Sequence, residues 1–419
     1  MEYSSLLLTA FAVLAFGVLS RRLQESPITP PMVFAGLGFA LYAGGILNLR
    51  SAGESIHVLA EITLVLVLFA DAARINLRRL RRDHNVPVRM LGIGLPLTIV
   101  LGAAFAYLIF PRWPVWETAL LAAILAPTDA ALGQAVVTME SVPVRLRQSL
   151  NVESGLNDGI ALPFVLMFAS IAAQEAGDSG DWFQFAALQL ILGPLVGIVV
   201  GYVGARLIRH ARKSEWISES FEGIVVMALA FVVYLLAQLI GGNGFIASFV
   251  GGMVFGNTVD TRTSKFLEFV ESEGQLLVLA TFFLFGAFMI PDLADVSSGA
   301  IWLYAVLSLT VIRMLPVAIS LWGTGLKLPS VLFLGWFGPR GLASILYVLT
   351  VLSDYQLGAG DGVYATVVAT VMLSIVLHGA TAAPAAKAFG PRADHWRASE
   401  PDCPDLQTVP ELPTRRLGK

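Results

Sequence analysis

Apolar runs of about twenty residues recur along the whole chain, and nothing else in the sequence constrains its fold as tightly. A helix needs about 20 mostly apolar residues to cross a bilayer. Thirteen segments qualify: 4–20, 28–47, 56–75, 88–110, 114–138, 146–173, 182–208, 219–241, 243–259, 269–290, 299–322, 329–352 and 361–387. The linkers between them are short and leave no room for a soluble domain. Hydrocarbon offers backbone groups no water to bond, so the expected fold is an all-α polytopic membrane protein. Composition agrees: 56% of the residues are hydrophobic and 14% charged, where soluble domains carry about 45–50% and about 25%. The run 1–20 has no basic residues ahead of its apolar stretch and no small-residue cleavage site, so it reads as a first span.

The loops set an orientation. With the N-terminus outside, the loop lysines and arginines fall in the cytoplasm, Arg50 and Arg112 excepted. The outer loop 174–181 is then purely acidic. The cell (plasma) membrane is the expected location. The segment 390–419 is rich in Pro and charge and is expected to be a disordered cytoplasmic tail. A net charge of −3 argues against nucleic acid or another polyanion. The single cysteine, Cys403, and five scattered histidines offer no disulfide framework and no zinc pattern. No cofactor is expected, and no enzymatic activity.

Polar residues interrupt this apolar background in a few places. The run Gln148-Ser149-Leu150-Asn151-Val152-Glu153-Ser154-Gly155-Leu156-Asn157-Asp158-Gly159 leads directly into an apolar helix. Ionisable groups at membrane depth are costly and are functional candidates by default. Ser154 and Asp158 are i,i+4, as are Glu153 and Asn157, so each pair shares a face. Asp158 with Asn157 either glues helices or carries an ion or proton. An amide would serve for glue, which favours the second reading. Glu153 is either a second carrier or half of a buried salt bridge. Arg313 and Arg340 both lie inside apolar segments. Arg313 is the preferred partner and Arg340 the alternative.

Two spans look broken, at Leu125-Ala126-Pro127-Thr128-Asp129 and at Gly335-Trp336-Phe337-Gly338-Pro339-Arg340-Gly341. Proline removes a backbone donor and frees the carbonyl four residues before it. Breaks at corresponding places in two halves point to a transporter site built on inverted repeats. Spans 1–6 and 8–13 would be the repeats. Thr128 is expected to cap the second half of its helix, with Asp129 favouring that helix's positive end. Arg340 either neutralises the negative end of a half-helix or snorkels to the cytoplasmic surface. Asp71 either pairs with Arg74 or Arg78 at the cytoplasmic rim or lines the inner cavity as an ion ligand. Gly251-Gly252-Met253-Val254-Phe255-Gly256 is a face for close helix packing.

Taken together, Ala126-Pro127-Thr128-Asp129, Glu153-Ser154-Gly155-Leu156-Asn157-Asp158-Gly159 and Gly338-Pro339-Arg340-Gly341 resemble the monovalent cation/proton antiporters. The similarity is to the branch of NhaP-type proteins and animal sodium/proton exchangers. The resemblance implies a homodimer with a mobile core (around 88–173 and 299–387) and a scaffold (1–75 and 219–290), joined by a linker helix (182–208). It implies a transmembrane antiporter domain over 1–389. It makes Asp158 the ion- and proton-binding carboxylate, with Asn157 beside it and Ser154 and Thr128 as further oxygen ligands. Many relatives carry Glu where this chain has the shorter Asp71. Oxygen-only groups suit hard cations. Desolvation favours the neutral carboxyl and a bound cation favours the charged one, so one acid can hold either a proton or a cation. With Asn157 in place of a second adjacent acid, one charge enters as one leaves, so electroneutral exchange is expected, and the resemblance implies Na+ (with Li+ or K+ as alternatives) exchanged for H+. A K+/H+ antiporter uses the same machinery. A cation channel is disfavoured by the lack of acidic rings or a carbonyl filter motif. An aspartyl protease using Asp129 and Asp158 lacks an accompanying Gly-x-Gly-Asp stretch.

Overall fold

The structure is a computed structural model that describes 26–47, 53–75, 77, 85–129, 132–175, 182–259, 265–296, 298–400 and 402–409, with scattered positions in 7–18. All secondary structure among these residues is helical. In chain order the helices are α1 (Pro30–Ala43), α2 (Gly53–Arg74), α3 (Asn85–Ile109), α4 (Val115–Ile124), α5 (Gln134–Thr138), α6 (Val144–Glu175) and α7 (Trp182–Lys213). They continue as α8 (Glu222–Leu239), α9 (Gly244–Thr258) and α10, which runs from Lys265–Leu284 through a π turn at Phe285–Met289 into Ile290–Val296. The last are α11 (Gly299–Ser320), α12 (Leu328–Trp336), α13 (Leu342–Asp354) and α14 (Gly360–Ser399). Seven of the described helices are long and apolar enough to cross a membrane, and α1, α4, α9 and α13 are shorter apolar helices. The chain is a multi-pass membrane protein, all-helical among its described residues. The expected segment 4–20, the basic stretch 78–84, the acidic loop 176–181 and the end of the tail, 410–419, lie outside the described residues, apart from those scattered positions. The count of thirteen spans therefore rests on the sequence.

The helices pack in two groups. In one, α7 lies along α9, α9 on α2, and α10 against α1 and α2. Here the backbones touch. A Cβ at Gly252 would overlap the Phe69 carbonyl, and one at Gly256 the Ala73 carbonyl. Small residues let helices approach where no hydrophobic drive exists between them. In the other group α3 packs on α4, α4 on α6, α11 on α14, α12 on α11, and α13 on α14. The groups meet where α13 touches α2, where α14 touches the end of α10, and where α6 touches α2, α7 and α9. At the last contact the Phe249 ring covers Gly159, leaving no room for a side chain there.

Both expected breaks are present, and each lies between a kinked helix and a very long one. The first separates α4 from α5, after α3 with its π turn at Met90–Gly94 and before the 32-residue α6. The second separates α12 from α13, after α11 with its irregular Thr310 (φ −113, ψ −96) and before the 40-residue α14. The first break is longer than the sequence suggests. α5 starts only at Gln134, with Gly133 as its cap, so Thr128 and Asp129 do not cap it.

The tail also departs from expectation. α14 does not stop near Gly390 but continues to Ser399, carrying Pro384 and Pro391 within it. Phe389, Ala393 and Trp396 are buried in a satellite core with Leu146, Leu334 and Phe337. A short 3-10 turn at Pro404–Leu406 follows. Asp405 is fully buried and accepts from the Lys327 backbone N–H at 3.3 Å, and the Lys327 ammonium pairs with Glu400 at 2.8 Å. A charged, proline-containing segment is ordered here because a helical stripe of large apolar residues anchors it.

Candidate functional site

The two breaks cross, and each closes the other's helix ends. The carbonyls released at the end of α4 face Arg340, which is fully buried. One guanidinium nitrogen, Nη1, donates to Ala126 O at 2.7 Å and to Pro127 O at 3.2 Å; Nη2 reaches Ser308 O at 3.5 Å. Ser344 Oγ donates to Ile124 O at 2.8 Å. In return Asp129 serves the other break. Its Oδ2 accepts the Leu342 N–H at 3.0 Å, and its own N–H donates to Pro339 O at 2.8 Å. An orphan helix N-terminus prefers an anion and a C-terminus prefers a cation. Asp129 thus stabilises α13, not the helix that follows it in sequence. Gly341 is required at the crossing, because a Cβ there would overlap the Asp129 carboxylate.

Next to this crossing, α6 presents its polar face. Thr128 Oγ1 lies 3.2 Å from Ser154 Oγ and receives the Asn157 amide at 2.6 Å. Thr128 and Asn157 are both nearly inaccessible (2% and 1%), whereas Asp158 and Ser154 are only half-buried. Asn157 Oδ1 is buried and has no hydrogen-bond partner. A buried acceptor left unmatched costs about 1–3 kcal/mol unless something satisfies it. A cation is such a group. The Asp158 backbone carbonyl accepts from the buried Tyr347 hydroxyl at 2.7 Å, which ties α6 to α13.

Glu153 faces another way. It makes a bidentate pair with Arg313 of α11, Nη1 to Oε1 at 2.6 Å and Nη2 to Oε2 at 2.7 Å, with both side chains 3% exposed. Of the two arginines weighed as its partner, Arg313 makes the pair and Arg340 is spent on carbonyls. Asp71 lies within α2, where its carboxylate is 3.8 Å from Arg74.

Two further residues take roles that the sequence does not assign them. Tyr347 reads as one more aromatic in an apolar helix. Glu117 sits fully buried in α4 and receives the Gly358 and Ala359 N–H groups, at 2.8 and 2.7 Å, just ahead of α14. An acid within an apolar span was visible, but its partners lie about 240 residues away.

Two crossing broken helices thus stand beside a half-buried acid and clustered hydroxyl and amide oxygens. Residues 7–388 match the profile of the family described as sodium/hydrogen exchanger, transmembrane, and the chain belongs to that family. It is 28% identical over 322 residues to Na(+)/H(+) antiporter 2 of Zygosaccharomyces rouxii, covering 71% of this chain and 39% of that protein. It is 25% identical over 356 residues to the K(+)/H(+) antiporter NhaP of Alkalimonas amylolytica, covering 83% and 61%. The chain thus spans only part of the length of these curated relatives. The fold is similar to that of the sodium proton antiporter MjNhaP1 from Methanocaldococcus jannaschii, with a TM-score of 0.71, 18% identity, and coverage of 92% of this chain and 100% of that one.

Proposed function

We propose that this protein exchanges a monovalent cation, sodium first among candidates, for protons across the membrane by alternating access. The observation that carries this reading is the unmatched Asn157 Oδ1 beside the Thr128 and Ser154 hydroxyls, adjacent to Asp158. These are hard oxygen donors around one acid, suited to a hard cation. Asp158 takes either the cation or a proton, and its partial exposure gives both a way in. Glu153, matched by Arg313, keeps its charge through the cycle. Asp129 and Arg340 hold the crossing. Asp71, with Arg74 beside it, is assigned to the approach to the site, not to the cation. The group built from α3–α6 and α11–α14 is the mobile core, and the group around α1, α2 and α8–α10 is the scaffold, with α7 linking them. The distribution of loop arginines and lysines supports a plasma-membrane protein with the N-terminus outside and the C-terminus in the cytoplasm. A homodimer is part of the same reading.

Potassium is the second candidate ion, favoured by the similarity to a relative named as a K(+)/H(+) antiporter. Proteoliposomes loaded with a pH-sensitive dye and pulsed with lithium, sodium or potassium test both. Cation-driven proton movement with one ion preferred supports exchange. Cation flux with no coupled proton movement overturns it.

A further inference from the structure

A buried histidine whose hydrogen bonds go to Ser374 and Trp336, not to the proposed cation ligands, lies behind the second break. His378 of α14 is fully buried. Its Nε2 is 2.9 Å from the Trp336 carbonyl, the last of α12. A carbonyl only accepts, so Nε2 carries the hydrogen. Its Nδ1 is 3.1 Å from Ser374 Oγ, which in turn receives the Arg340 backbone N–H at 2.7 Å. A hydroxyl that accepts from an amide has its own hydrogen to give, and Nδ1 is there to take it. The relay runs in one direction, from Arg340 N–H through Ser374 and the imidazole to Trp336 O.

Both ends of this relay belong to the same break. Trp336 closes α12, and Arg340 stands just before α13. The Trp336 end is itself anchored, since the Trp336 indole N–H donates to Thr381 Oγ1 at 3.1 Å and its ring lies 5.0 Å from the imidazole. At the other end the Arg340 guanidinium holds Ala126 O and Pro127 O, the two carbonyls immediately before Thr128. Nδ1 also lies 3.2 Å from the Ser374 carbonyl.

We propose that His378, as the neutral Nε2–H tautomer, is a positioning residue that sets the separation of Trp336 and Arg340 and, through Arg340, the placement of the Thr128 oxygen. The inference rests on reading Thr128, Ser154, Asn157 and Asp158 as the cation site. It predicts an effect on cation affinity from a side chain that touches no cation. Outer partners that orient ligands typically account for about 10–100-fold in affinity.

The test uses the full chain in proteoliposomes, with half-saturating sodium, maximal rate and thermal midpoint measured for each variant. His378→Ala and Ser374→Ala are expected to raise half-saturating sodium by about 10-fold or more. The double variant is expected to be no worse than the weaker single one, because either cut interrupts the same relay. His378→Gln, whose amide can supply the N–H to Trp336, is expected to recover most of the affinity. Where His378→Ala does not fold, Ser374→Ala and His378→Gln give the answer. Half-saturation at the wild-type value in the folded variants, with only the thermal midpoint lowered, overturns the proposal. Asp158→Asn is run alongside. If it retains exchange, the site reading itself fails. If it is inactive while the His378 and Ser374 variants keep wild-type half-saturation, only the relay fails.

Discussion

Asp158 is the acid near the crossing that is half open to its surroundings and stands beside an amide oxygen still lacking a partner. Replacing its carboxyl by an amide removes the group proposed to take up and release the proton. Asp158→Asn is therefore expected to abolish exchange while the protein still purifies as a folded species; dye-reported proton movement in vesicles checks it. Glu153 should behave differently. Its pair with Arg313 is buried on both sides, and removing one partner of such a pair costs about 3–5 kcal/mol. Glu153→Gln and Arg313→Ala are expected to lower thermal stability and folded yield more than they shift cation half-saturation. A stable Glu153→Gln protein with a large shift in half-saturation would move Glu153 into the site. At this scale the sequence is informative about which residues are unusual and poor on whom they meet. It marks Glu153, Asp158, Arg313 and Arg340 as charges in apolar surroundings. The bidentate geometry that selects Arg313, and the use of Glu117 as an anchor for the turn before α14, depend on contacts between distant segments.

The helix breaks were legible because Pro127 and Pro339 interrupt apolar runs, and proline acts through a local rule. What followed the first break was not, because the partner of Asp129 is a backbone N–H on another helix. The crossing has little spare volume, and Gly341→Ala would push a methyl into the Asp129 carboxylate. Overpacking of that kind costs about 1–3 kcal/mol. The expected result is a lower thermal midpoint and slower exchange, read on the same preparation. The end of α14 teaches the opposite lesson. Proline and charge argue for disorder, yet Phe389, Ala393 and Trp396 recur at helical spacing and mark a buried face. Cys403, the sole cysteine, tests that packing. The residue is 5% exposed, and burial of the thiol, with Asp405 Oδ2 at 3.1 Å, pushes its pKa up. A raised thiol pKa leaves less of the reactive thiolate at pH 8. Maleimide labelling of the folded protein is expected to be slow at pH 8 and fast after denaturation, by mass spectrometry. Rapid labelling of the native protein would show that 402–409 does not dock.

For the molecule as a whole, the proposed cycle changes the charge on one acid only. With Glu153 matched by Arg313, and with Asp129 and Arg340 both held at the crossing, Asp158 alternates between one proton and one monovalent cation. The loaded carrier then has the same charge in both directions. A potential of 100 mV biases movement of one net charge by about 2.3 kcal/mol. Sodium-driven exchange is expected to be nearly unchanged when potassium and valinomycin clamp the potential. A strong dependence would point to a second titrating acid, with Asp71 the first suspect. A division into two groups was expected from the family resemblance, but of the contacts that build them only the Gly251–Gly256 stretch was visible in the residues; the matching carbonyls of Phe69 and Ala73 carry no side-chain signature.

The mutual capping of the two breaks has a further consequence for sidedness. Arg340 and Asp129 tie the crossing together from its two opposite breaks, and Tyr347 fastens the Asp158 turn to it. In the proposed cycle a block bonded in this way travels without being rebuilt. The cation is then expected to meet the same oxygens whether it arrives from the cytoplasm or from outside, with the same intrinsic dissociation constant at both faces. Any difference in apparent affinity between right-side-out and inverted vesicles at equal pH must then come from the resting bias between inward- and outward-facing states. Mutations at the contact between the two groups, such as Phe249 against Gly159, should alter that ratio. Substitutions within the block should change both faces together.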